Sequence, residues 1–411
     1  MMNQSRLSAG ATLPLFVLVL VASCGCGANQ YVGREVSGQT AVSLPGELLD
    51  ELITVRTVEA NAKTGLRDVP RTLFYRRDTG KRVEGIRLVI ESAFSEGLAV
   101  ARQEGGGRLG YVDAAGRVAL PFRYFTADPF REGRAVVSVL DRHDKVEYGL
   151  IDRGAKWIVP AGRYEELGSF REGRCAFRSG DRWGLLDALG REVVPARFAD
   201  QPRFSGGLAA VRLEDGDLVY VDPDGRVALK APDGAVEVGD FHDGLALFAA
   251  EGARGGDKLF DAPAERRYGF VSIAGTVAVA PQYVQAGEFS EGLAPVSRNA
   301  KVPWQDDGDP MKHAFDPGEK DSWGYIDAAG KVAIDFQFNR AGRFSCRLAR
   351  VRQNGKWGYI DTTGQLVIPA RYEWAGDFRN GLAEVWENGQ IVIVDRKGAT
   401  VVTTGLSAAT F

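Results

Sequence analysis

Apolar and polar positions alternate with a period of two along most of the chain, in short runs cut by glycine-containing turns. Lys356 to Pro369 (KWGYIDTTGQLVIP) is the clearest example. Alternation across Trp-Gly-Tyr-Ile-Asp predicts a strand with one face inward, Asp361 to Gly364 a turn, and Leu366-Val-Ile a second strand. Ser322 to Asp335 (SWGYIDAAGKVAID) repeats the pattern almost word for word. Two stretches depart from it. Leu13 to Ala22 (LPLFVLVLVA) is continuously apolar, and Pro45 to Ala60 places Leu48, Leu49, Leu52, Ile53 and Val55 at roughly helical spacing, which predicts a short helix.

Looser copies extend back to about residue 73. The motif Phe-x-x-Gly-x-Ala sets register marks at Phe94, Phe130, Phe170, Phe204, Phe241, Phe289, Phe344 and Phe378, spaced 36, 40, 34, 37, 48, 55 and 34 residues apart. After each mark come a strand, a turn, and a Trp-Gly or its substitute, as in Trp183-Gly184, Tyr268-Gly269 and Leu109-Gly110. A further strand ends in Asp-x-x-Gly, for example Asp187 to Gly190, and a β-branched stretch closes the unit. Asp at the first and Gly at the fourth position suit a type I turn, the carboxylate taking backbone N–H bonds and the glycine allowing positive φ. Glycine after tryptophan leaves room for a close neighbour, most simply an aromatic ring of the next copy. A unit of this size cannot hide its apolar surface alone, so each copy must bury the next.

These marks resemble the WG-containing repeat family of bacteria over about residues 73–405, most closely at Trp323 to Asp377 and Phe170 to Pro195. The resemblance implies an all-β architecture of tandem three-to-four-stranded units, about eight here, and an envelope setting; the family has no shared catalytic residues. Arg77 to Gly80 matches the end of a unit, so the repeat series begins with a partial copy and ends soon after Val402. Partial units at both ends are what a propeller needs to close its ring with strands from both termini. A propeller-like ring is therefore preferred to an open β-solenoid capped by the helix at 46–60.

The N-terminus changes the picture of compartment. Arg6 precedes the apolar run, which has the length of a signal h-region, and Val21-Ala22-Ser23-Cys24 resembles the lipobox of bacterial lipoproteins. That resemblance implies a signal peptide at 1–23, lipidation of Cys24, and a body tethered to the membrane outside the cytoplasm. Residues 24–45 then read as a flexible tether, 46–72 as a short helical or irregular segment, 73–405 as the repeat body and 406–411 as a tail. Cys175 and Cys346 fall at non-equivalent points of the repeat and read as two unrelated thiols.

Composition excludes more than it assigns. The 51 Lys and Arg against 54 Asp and Glu leave a net charge of -3, with no basic stripe to gather nucleic acid. Gly105 to Gly110 matches G-x-G-x-x-G but lies between two strands, so it reads as a hairpin turn. His143, His242 and His313 are scattered and read as solvated loop residues, and no metal, cofactor or catalytic motif is expected. Two insertions, 251–267 and 299–322, both fall between the first and second strands of a copy, at equivalent positions of neighbouring repeats and so on one rim. The second carries Trp304, Met311, His313 and Phe315 among acidic residues, a mixture suited to recognising protein or polysaccharide. The expected function is an envelope binding or scaffolding module; the alternative is a hydrolase or lyase with its site on a propeller rim.

Overall fold

The Asp-x-x-Gly turns take the geometry their residues call for. Asp361 Oδ1 accepts the amides of Thr363 at 2.9 Å and Gln365 at 3.0 Å, and Gly364 adopts φ 86°. The Thr363 hydroxyl and these amides hold the Asp361 carboxyl below the usual carboxylate range. Asp113, Asp327 and Asp395 repeat the arrangement.

A computed structural model describes residues 19–21, 51–59, 69–251, 266–299 and 321–407. They form nine antiparallel four-stranded sheets, each with its strands in sequence order, arranged as the blades of a β-propeller. Blade 1 comprises Val19–Val21, Leu52–Glu59, Val69–Arg76 and Arg82–Val83. Blades 2 to 9 begin at Leu88, Thr126, Glu166, Phe204, Ala235, Gln285, Arg340 and Trp374, and blade 9 ends at Ser407. First strands such as Trp374–Ala375 are buried at the axis. Fourth strands such as Leu366–Tyr372 alternate exposed and buried positions on the outside.

The glycine after each tryptophan makes room for the blade's own outer strand. A Cβ on Gly358 would lie 2.5 Å from the Ile368 carbonyl oxygen, and one on Gly324 2.6 Å from that of Ile334. There the fourth strand bulges, its register jumping from Trp357–Tyr372 to Tyr359–Ile368. The expected ring from a neighbouring copy is not what fills this space.

Neighbouring blades bury one another through the following tyrosine. Tyr359 packs against Phe378 of the next blade at a ring separation of 4.7 Å, and its hydroxyl donates to the Gly376 carbonyl at 2.7 Å. Tyr111 with Phe130 and Asp128, and Tyr325 with Phe344 and Gly342, make the same pair of contacts. The recurring Phe marks are thus the pads on which the preceding blade's aromatic rests.

Blade 9 closes directly onto blade 1. Trp374, Leu382, Trp386, Ile391 and Ile393 pack with Ile53, Val55, Leu73 and Tyr75, which makes a ring and excludes the open solenoid. Three expectations are corrected. The described residues form nine units rather than about eight, because blade 1 lacks a Phe mark. The termini do not share a blade; each supplies a separate one. The helix expected within 46–72 is instead the strand Leu52–Glu59, with Val69–Arg76 beside it, so the repeat body begins before residue 73 and runs past 405 to Ser407. Leu52 packs toward blade 2 and Ile53 toward blade 9, so both faces of the strand are buried over residues 52–55, the polar Thr54 included. Of the leader, Val19–Val21 pairs with Ile53–Val55 as the innermost strand of blade 1; Cys24 and the expected tether lie outside the described residues.

Candidate binding site

The turn between the first and second strands of blades 2 to 8 carries one or two side chains that reach the next blade. Where a serine follows the register phenylalanine, its hydroxyl donates to the carbonyl of the next register phenylalanine: Ser95 to Phe130, Ser205 to Phe241, Ser290 to Phe344 and Ser345 to Phe378, at 2.6, 2.6, 2.7 and 2.6 Å. The acidic residue accepts a backbone amide of the next turn: Glu96 from Gly133 at 3.0 Å, Glu132 from Gly173 at 2.8 Å, Glu172 from Gly206 at 2.9 Å, Asp243 from Gly292 at 2.9 Å and Glu291 from Arg347 at 2.8 Å. Every junction from blade 2 to blade 9 keeps at least one of these two ties. The register motif contained the signal, but reading it as Phe-x-x-Gly passed over the positions that do this.

Blades 3, 4, 6 and 9 replace the serine with Arg131, Arg171, His242 and Arg379. In the first three the acidic tie remains, so the ring holds without the hydroxyl. Arg131 and Arg171 project, exposed, into a cavity of about 340 Å³ lined also by Ser95, Glu96, Glu132, Glu172, Phe204 and Ser205. Turns of four consecutive blades meet there, which places the cavity at the axial mouth of the ring. Their carboxylates already hold backbone amides, and Glu96 also pairs with Arg153 at 3.2 Å.

The mouth continues into a charged cluster. His242 Nε2 lies 3.3 Å from Glu288 Oε2, and Arg343 Nη1 3.6 Å from the same oxygen. Partial burial raises the Asp240 carboxyl above its ordinary range, opposed by His242, Arg203 and Arg171 and reinforced by Glu288. His242 is therefore half-buried among charges, not the solvated loop residue expected. Among the described residues no group of His, Cys, Asp and Glu has the arrangement of a metal site.

The opposite face bears the two insertions. They leave the hairpins between the second and third strands of blades 6 and 7, on one rim as expected. Sequence reading placed them between first and second strands because the two-residue innermost strands escaped notice. Trp304, Met311, His313 and Phe315 lie outside the described residues. The neck of the second loop is pinned: Ser297 Oγ donates to the Ser322 carbonyl at 2.9 Å, Ser322 N to Asn299 Oδ1 at 2.8 Å, and Asp321 forms a buried ion pair with Arg340. Cys175 and Cys346 are both free; burial pushes the Cys175 thiol up to about 12.

The family model described as WG containing repeat matches residues 110–141, 148–183, 183–216, 268–301, 323–357 and 357–390. No curated protein matches the chain. Solved structures resemble it distantly. The computationally designed Ika8 protein has 11% identity and a TM-score of 0.39 over 77% of this chain and 96% of its own. BamB from Moraxella catarrhalis has 11% identity and a TM-score of 0.35 over 69% and 88%. The dihydro-heme d1 dehydrogenase NirN, in complex with DHE, has 12% identity and a TM-score of 0.37 over 77% and 78%. Such scores carry nothing about activity. The six matched segments of the propeller are WG-containing repeats.

Proposed function

We propose that this protein is a lipid-anchored recognition or scaffolding module of the bacterial cell envelope, with Cys24 as the lipidated residue and a protein or polysaccharide as its partner. One observation carries the recognition half: at the axial mouth, side chains that depart from the repeat and are not needed to tie blades together converge on a single cavity. The Cys24 reading rests on the Val21-Ala22-Ser23-Cys24 motif behind its apolar run. The test is fractionation of cells fed a labelled fatty acid. The wild-type chain should carry label and sediment with membranes, and Cys24→Ser should lose the label and become soluble; an unlabelled wild type would refute the anchor. An envelope enzyme is the competing reading, favoured by the Asp240, His242 and Glu288 cluster. For that reading, activity on an envelope polymer would have to vanish in Asp240→Asn while binding persisted.

A further inference from the structure

We infer that the axial mouth binds an acidic polysaccharide, with Arg131 and Arg171 taking its carboxylates; this rests on the recognition reading above and assigns it a ligand class. Four of the eight turns of this type use serine to tie one blade to the next. Blades 3 and 4 give that tie up in succession for arginine, while Glu132 and Glu172 keep both junctions closed. Neither guanidinium makes an ion pair or hydrogen bond among the described residues, although ion pairs engage many other arginines of the molecule, Arg153 at the same mouth among them. Two cations therefore face one cavity with no ion pair or hydrogen bond of their own among the described residues, Arg171 acting also at a distance on Asp240.

Their setting selects the ligand. Guanidinium groups grip carboxylates in a two-pronged fashion, and two successive blades each present one to the cavity, as two acids along one polymer require. Glu96, Glu132 and Glu172 in the same lining have free oxygen lone pairs for sugar hydroxyls, with Ser95 and Ser205 at either end. Those carboxylates also repel a densely charged chain such as polyphosphate. The cavity is open and polar, which suits a hydrated sugar chain better than an apolar anchor of a protein partner.

Affinity electrophoresis of the full repeat body through gels containing polygalacturonate, neutral dextran or polyphosphate tests this. Polygalacturonate should retard the wild type and dextran should not. The double variant Arg131→Ala/Arg171→Ala should lose about tenfold or more in apparent affinity, Arg131→Lys/Arg171→Lys should recover part of it, and Arg226→Ala, a charge loss outside the mouth, should change nothing. Unchanged thermal unfolding of the double variant confirms that the ring is intact. Absence of retardation by polygalacturonate, or tighter arginine-dependent retention by polyphosphate, overturns the ligand class. Retention by polygalacturonate that survives in the double variant overturns the mouth as the site but leaves recognition standing elsewhere on the protein.

Discussion

Tyr359 shows how one side chain serves two blades. Its ring fills the space against Phe378 and its hydroxyl satisfies the Gly376 carbonyl. The two parts separate by mutation. Tyr359→Phe keeps the packing and should cost about 1 kcal/mol, whereas Tyr359→Ala opens a cavity and should cost about 4 kcal/mol, both read from urea denaturation midpoints. Glu384 poses a different case. It shares a strand face with Leu382 and Trp386, in the apolar contact between blades 9 and 1, and is nearly fully buried. Burial pushes its carboxyl up to about 8, with the Trp386 indole acting the other way. The folded state therefore holds this proton more tightly than the unfolded chain, whose glutamates titrate near about 4.3. Its contribution to stability is complete below that value and is lost as pH rises toward about 8. Thermal melts between those limits should show stability falling in the wild type and a flatter profile in Glu384→Gln. The turn aspartates were legible in the sequence because their work is local. Ser95, Glu96 and their equivalents were not, because their partners lie some 35 residues away on another blade.

At the scale of elements, the outer bulge is what the Trp-Gly pair accommodates. Gly358→Ala would drive a Cβ into the Ile368 carbonyl, where the bulge cannot retreat without breaking its pairing with Tyr359. It should destabilise the protein by about 3 kcal/mol in a denaturant titration, although nothing polar is removed. Strands two, three and four of most blades could be read from alternation and turn chemistry. The innermost strands could not: two residues such as Trp374–Ala375 carry no period. The strand Leu52–Glu59 was misread because Leu48, Leu49, Leu52, Ile53 and Val55 fit a helical spacing, which masked the alternation of Ile53-Thr54-Val55-Arg56. The insertions were placed on their rim from spacing alone, while the axial mouth stayed hidden because its residues come from four turns distributed along the chain.

For the whole molecule, the repeating ties make most junctions alike. Between blades 2 and 9 each carries a serine or acidic bond, and several add a tyrosine. Where blade 9 meets blade 1, Arg379 and Asn380 occupy those positions, and the polar contacts include Arg77 to the Asn380 carbonyl at 3.2 Å and Tyr75 to the Thr404 carbonyl at 3.4 Å. Buried tryptophan, isoleucine and valine pack across this joint. Apolar contacts weaken on cooling, and this joint also buries Glu384. Chilling an alkaline solution would then strain a single joint from two sides at once, and the circle would part beside its oldest neighbours in space and its most distant ones in sequence.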